Sequence, residues 1–394
     1  MVRLIIFVNL CLAFCFALFL IQSVWQGANW RGDLLAFYTG WRMVAHGDGA
    51  RLYDLTAQRA YQTEITGRTL PLEHGGVLPF INPPHAVVPF APLGLLPRPA
   101  ASGAWLALQL ALLTWTITLL LRIAEWSKAE RLLLVASVLA FFPLLNALYQ
   151  GALTLLALLA LTQFYLALKR GHDWRAGLWL AIGTVKPQIV LVPALILLAK
   201  KKWSAVVSMI VCLIALVALS LPFVGWRAYL EYPALLRTIG ESVNKYGVYP
   251  ATMANLKGLL VTLLGYSGSI NTLVYLALAC AVVLTFYLWR KDNNFNLHFA
   301  FTVLLGLFVA PHLNDQDVLI AVLPAVLFYD YLRRQNRAQT FGAFLCCVPV
   351  VLAGAQFITV AEIGKRSVLL LLIMMLVWTG FEIYKSESLE TAEF

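Results

Sequence analysis

The chain has 394 residues, 61% hydrophobic and only 12% charged, with a formal net charge of +10 and a mean hydropathy of +0.79. A soluble globular domain is about a quarter charged and about half apolar, so this balance excludes one, and the plentiful aromatics exclude a disordered chain. The composition is that of an all-α polytopic membrane protein, whose basic residues sit in short runs between apolar segments and so write topology rather than a nucleic-acid surface.

Residues 4–24 are the first apolar run. They are too long for a signal-peptide core and no Ala-x-Ala cleavage site follows, so they read as a retained span. A first outer loop, 25–99, comes next. Within it, Leu34, Phe37, Tyr38, Trp41, Val44 and Ala45 recur at helical spacing after Gly32-Asp33, with Arg42 and His46 off the stripe. That predicts a short amphipathic helix lying flat on the outer surface. Asn82-Pro83-Pro84-His85 opens an apolar run broken by Pro89, Pro92 and Pro97, which suits a re-entrant or interfacial segment.

Apolar runs then follow at 100–121, 132–149, 152–168, 203–224, 270–289, 298–311, 318–332, 340–359 and 367–384, with a second outer loop at 225–269. Basic clusters at Arg122/Lys128/Arg131, Lys169/Arg170/Arg175, Lys200–Lys202, Arg290/Lys291 and Arg333/Arg334/Arg337 belong inside by the positive-inside rule. This orientation puts both termini in the cytoplasm. Residues 176–199 lie between two such clusters, yet are long enough for only one span. A broken pair of short helices that turns at Lys186-Pro187 resolves the conflict, because proline breaks a helix and restricts the residue before it. The whole chain, 1–394, reads as one integral membrane domain of about 10–12 transmembrane helices.

Polar groups at membrane depth are costly, so each needs a reason. In this topology they gather at the outer end: Asp33, Asn82, His85, Asn146, Gln150, Lys186, Gln188, His312, Asn314, Asp315 and Asp317. Asp33 reads either as an N-cap of the helix it precedes or as a general base held at the surface. Lys186 reads either as a snorkelling side chain that pairs with freed carbonyls, or as a cation facing an anionic ligand. Ala310-Pro311-His312-Leu313-Asn314-Asp315-Gln316-Asp317 is a sharp outer turn, polar as turns are, and a weak match for a metal site. His46, His74, His172 and His298 carry no assigned role. All six cysteines fall in apolar runs, which argues against a disulfide framework. No Walker A loop, dinucleotide glycine pattern, nucleophile elbow or His-Glu-x-x-His occurs.

In order along the chain, Asp33-x-x-x-Phe37-Tyr38 with Gly47 and Leu52-Tyr53-Asp54, Asn82-Pro83-Pro84 with Pro92-Leu93-Gly94-Leu95-Leu96-Pro97, Trp174-Arg175-Ala176-Gly177 through Val185-Lys186-Pro187-Gln188, and Ala310-Pro311-His312 form a recognisable set. It resembles the GT-C glycosyltransferases, specifically the family 87 polyprenyl-phosphate-mannose-dependent mannosyltransferases. The likeness covers about 30 to 330. Asn82 stands where the family usually has Tyr, and Tyr149-Gln150-Gly151-Ala152 lacks the Asn of its Gly-Gln-x-Asn motif.

The resemblance implies a cell-membrane hexosyltransferase with an active site on the periplasmic or extracellular side. It would move a hexose, most simply mannose, from a polyprenyl-phosphate sugar to a hydroxyl of a glycan, glycolipid or lipid acceptor, with inversion. Asp33 would be the catalytic base, and Lys186 and His312 would bind the donor phosphate. Gln188, Asp317, Tyr38 and Gln150 are weaker positioning candidates. No cofactor, nucleotide, nucleic acid or metal is implied, and membrane lipids would surround the apolar donor tail. A transporter or flippase of lipid-linked saccharides is the alternative. A glycan ligase or polymerase would use outer arginines such as Arg227 and Arg237.

Overall fold

A computed structural model describes residues 2–27, 32–72, 75–291, 294–358 and 361–392; His74 lies outside them. Among the described residues the secondary structure is helical: α1 (Val2–Trp25), α2 (Asp33–Ala45), α3 (Leu55–Thr66), α4 (Arg98–Leu120), α5 (Lys128–Leu139), α6 (Phe142–Gln150), α7 (Thr154–Lys169) and α8 (Asp173–Gly183). Then come α9 (Pro187–Ala199), α10 (Trp203–Glu241), α11 (Leu256–Leu264), α12 (Gly268–Lys291), α13 (Phe295–Val309), α14 (Val322–Arg334), α15 (Ala338–Ile358) and α16 (Ala361–Ala392).

Five helices among the described residues are long and apolar enough to cross a membrane alone, within α1, α4, α10, α12 and α16. The run at 132–149 becomes α5 and α6, bent by 48°, and counts as a sixth crossing if taken as one span. The runs at 152–168 and 298–311 form the shorter helices α7 and α13, and the one at 318–332 ends in α14, whereas the run at 340–359 forms the 21-residue α15. The sixteen-residue α7 is about 24 Å long, short of the ~30 Å hydrocarbon core. It is buried on almost every side, packing on α4 and α8, so it never meets lipid directly. By contrast α1, α10 and α12 expose Phe7, Phe14, Ile21, Val211, Ile214, Leu219, Tyr275 and Val283. Helices this apolar on their outer faces are stable only against lipid, and the chain is a multi-pass membrane protein.

Local chemistry explains the boundaries. Ser127 and Glu130 form a reciprocal capping box that starts α5, and Asp54 Oδ1 caps α3 by accepting from the N–H groups of Thr56 and Ala57. Gly225, at φ 69° and ψ 165°, interrupts α10 where the span at 203–224 gives way to the second loop. α8 and α9 are the expected broken pair, parted at Thr184-Val185-Lys186 with Pro187 opening α9.

One expectation fails. The helix after Gly32 exists, but it does not lie flat with one face in water. Ten of its residues, Leu34–Trp41 with Met43 and Val44, are buried. The proline-rich segment forms two 3-10 helices, Pro84–Ala86 and Val88–Leu95, and the second covers the supposed outer face of α2. Gly94 permits this, since a Cβ there would lie 2.5 Å from the backbone of Trp41 and Arg42. Periodicity registers which face is most apolar; it does not register what covers the other face.

Two apolar cores result. The larger joins α7, α9, α13 and α14 through residues such as Leu158, Phe164, Phe299, Leu304 and Leu323. The second gathers Leu34, Phe37, Trp41, Tyr53, Phe80, Trp105, Val185 and Val224 around α2. The polar residues of interest lie at the seam between them.

Candidate active site

The site is assembled from two backbone interruptions. At the α8–α9 break, Lys186 adopts φ −129° and ψ 77°, outside the helical region, as a residue before proline does. The freed carbonyl of Val185 accepts from Asn82 Nδ2 at 2.8 Å, and the Asn82 carbonyl in turn accepts from the Tyr53 hydroxyl at 2.6 Å. The proline-rich segment is thereby tied to the break.

The second interruption is the turn after α13. Its Ala310 carbonyl accepts from Asn255 Nδ2 at 2.7 Å, and its Leu313 carbonyl accepts from Ala254 N–H at 3.0 Å. A 3-10 helix, Asp315–Ala321, follows. Asp317 Oδ1 accepts from Thr154 Oγ1 at 2.6 Å and from Lys186 Nζ, while its Oδ2 accepts from Asn314 N–H at 3.3 Å. The adjacent Gln316 donates Nε2 to Asp33 Oδ2 at 3.2 Å and accepts from Asn146 Nδ2 at 3.3 Å. One turn therefore holds both a buried ion pair and the first residue of α2.

Electrostatics separate the carboxylates. Burial pushes the Asp33 carboxyl above its ordinary range and the charge of Asp317 adds to this, while Lys186 and the Gln316 hydrogen bond oppose it. Burial acts on Asp317 in the same direction, but the Lys186 ammonium and the Thr154 hydroxyl outweigh it and hold that carboxyl low. Asp315 is raised to about 7 by burial and by Asp317, and its Oδ1 has no hydrogen-bond partner among the described residues. His312 is lowered to about 4, first by burial, and is neutral at pH 7.

Of the residues singled out in the sequence, Asp33, Lys186 and Asp317 meet in this network, and His312 stands within reach of the charges of Asp317 and Lys186. The N-cap reading of Asp33 does not hold: Gly32 occupies that position and Asp33 opens the helix. Nor does Lys186 snorkel, being only 7% exposed against an Asp317 that is 1% exposed. His85 Nε2 lies 3.2 Å from Thr184 Oγ1 at the break. The Gln150 amide packs on Gly32, where a Cβ would sit 1.6 Å from its Oε1. Tyr38 is elsewhere, buried with its hydroxyl donating to Leu96 O at 2.7 Å. Gln188 is half-buried on the first turn of α9. Arg227 and Arg237 are exposed on the second half of α10.

Sequence reading missed the bridging role of Gln316, the hydroxyl of Thr154, and Lys257. The last is 5% exposed on the first turn of α11, has no hydrogen-bond or ion-pair partner among the described residues, and is lowered by burial. A lysine inside the apolar stretch Leu256–Leu264 carries the same signal of membrane cost that singled out Lys186. Among the described residues, no three His, Cys, Asp or Glu side chains are grouped to hold a metal ion.

Residues 80–313 match the profile of Glycosyltransferase family 87, and the chain belongs to that family. Lys186, Lys257 and His312 fall inside the matched stretch; Asp33 precedes it. A similar protein from Mycobacterium tuberculosis (strain CDC 1551 / Oshkosh) is a polyprenol-phosphate-mannose-dependent alpha-(1-2)-phosphatidylinositol pentamannoside mannosyltransferase. It is 26% identical over 240 residues, which cover 59% of this chain and 54% of the relative. The match thus spans about half the length of the relative.

Proposed function

We propose that the protein transfers a hexose, most simply mannose, from a polyprenyl-phosphate sugar to a hydroxyl of a glycolipid-type acceptor at the outer face of a cell membrane, with inversion. The reading is supported by family membership, by the name of the mycobacterial relative and, above all, by one observation: Asp33 is held by Gln316, next to the Lys186–Asp317 pair.

Asp33 takes the proton of the acceptor hydroxyl as its oxygen bonds to the anomeric carbon. The anomeric carbon–oxygen bond to phosphate breaks, and its electron pair leaves with the polyprenyl phosphate. Phosphate is a good leaving group, so charge stabilisation matters more there than an acid. Neutral His312 serves as a hydrogen-bond donor. Lys186 orients Asp317 and adds a field already largely balanced by that carboxylate. A carboxyl raised by burial is a stronger base than an exposed one, which suits Asp33 to accept a proton in the transition state.

The test is incubation of the protein in nanodiscs with polyprenyl-phosphate-mannose and a membrane extract. A new α-linked mannosylated product from a β-linked donor, absent with Asp33→Asn, is the expected result. Product of unchanged yield with Asp33→Asn removes the base assignment, and retention of the β-linkage removes inversion.

A further inference from the structure

The charge balance of the site leaves one cation without a carboxylate. Lys186 is spent on Asp317, and His312 is neutral at pH 7. Lys257 has no hydrogen-bond or ion-pair partner among the described residues although the residue is only 5% exposed, so its ammonium remains free to meet an anionic group. Its position is fixed. Asn255 caps α11, its Oδ1 accepting from Gly258 N–H at 2.9 Å while its Nδ2 donates to Ala310 O at 2.7 Å. With Ala254 N–H on Leu313 O at 3.0 Å, these bonds clasp the turn on either side of Pro311-His312. Lys257 follows Asn255 by two positions, on the first turn of the helix that this clasp ties to the His312 turn. The start of the nine-residue α11 adds the positive end of a helix dipole to the same place.

We propose that Lys257 is the cation that receives the phosphate of a lipid-linked phosphate, with the His312 imidazole donating a hydrogen bond beside it. This rests on the transferase reading above and names the group that carries the phosphate side of it. The donor phosphodiester bears one negative charge. Once the anomeric carbon–oxygen bond breaks, the phosphomonoester that departs takes the bonding pair and gains negative charge, so an unbalanced ammonium is worth more after transfer than before. Lys186 cannot serve in the same way, because any approach to an anion competes with Asp317.

The experiment measures binding of decaprenyl phosphate, decaprenol and inorganic phosphate to the protein in nanodiscs by intrinsic tryptophan fluorescence. Lys257→Met is expected to raise Kd for decaprenyl phosphate about ten- to a hundredfold, to leave decaprenol binding unchanged, and to be largely rescued by Lys257→Arg. Unchanged decaprenol binding also reports an intact fold. Lys257→Gln serves as a second variant if Met disturbs packing. Equal Kd values for wild type and Lys257→Met, with the wild type preferring the phosphorylated lipid, overturn this assignment and leave the transferase reading standing. A wild type that does not distinguish decaprenyl phosphate from decaprenol overturns both. Inorganic phosphate competing as strongly as the lipid phosphate identifies a free-anion site and overturns the lipid assignment.

Discussion

Gln316 and Asp33, 283 positions apart, share a hydrogen bond of 3.2 Å. It fixes the first side chain of α2 to a turn that also carries the Lys186–Asp317 pair. Any base function of Asp33 thus depends on a residue that makes no charge contribution of its own.

Replacing Asp33 with Asn is expected to lower turnover about a hundred- to ten-thousandfold, the usual worth of a positioned general base. Donor binding is expected to survive. Single-turnover kinetics with a separate binding assay check this, and a shared fall in both quantities would instead mark Asp33 as a binding group.

The pH profile follows from the raised Asp33 carboxyl. A base must be ionised, so activity rises with pH through the folded-state pKa, and the acid limb is expected above the ordinary carboxylate range. The Gln316 hydrogen bond opposes the rise. Gln316→Leu is therefore expected to move the limb to still higher pH. A limb that stays in place uncouples Gln316 from the base.

Two lysines of opposite burial give a stability contrast. Lys186→Ala leaves Asp317 buried and unpaired, at a cost of about 3–5 kcal/mol. Lys202 pairs with Asp173 at 3.3 Å in a partly exposed position, and its removal is expected to cost about 0–1 kcal/mol. Thermal melts in detergent check the order. The double variant Lys186→Met with Asp317→Leu is expected to recover most of the loss, because it leaves no charge behind.

Asp315 supplies a separate signature. Its folded pKa, about 7, exceeds the ordinary 3.8, so the folded state binds the additional proton. The resulting stability is complete below the unfolded value and lost as pH rises through about 7. Asp315→Asn is expected to flatten melting temperature against pH over that window. A variant with the same slope as the wild type would assign the dependence to another group.

Sidedness is open to cysteine labelling in a cysteine-free background. Thr69 and Gln335 are both exposed. Thr69→Cys is expected to react with an impermeant thiol reagent applied to whole cells, and Gln335→Cys only after lysis. The reverse pattern would put the site on the cytoplasmic face.

Much of the architecture was legible in the chain. Apolar runs separated by basic clusters located the helices, because a span needs a fixed length of apolar residues and lysines and arginines mark its inner end. Lys186-Pro187 announced the broken pair, since proline has no N–H to donate to a continuing helix and its ring clashes with the preceding turn. The cost of polar groups at membrane depth singled out Asp33, Lys186, His312 and Asp317.

What those residues do to one another was decided by tertiary structure. Hydrophobic periodicity along α2 described one face and was silent about the proline-rich segment that buries the other. Lys186 and Asp317 each carried a signal in the sequence, yet their pairing cancels the charge that made Lys186 the obvious phosphate ligand. Lys257 carried the same signal, and only the fold ties the start of its helix to the His312 turn, through Asn255 and Ala254. Burial cost is a property of one side chain in its local sequence, and so it can be read along the chain. Whether that cost is cancelled depends on which distant partner folding brings within a few ångströms, and for Lys186 that was settled by packing at the seam of the two cores.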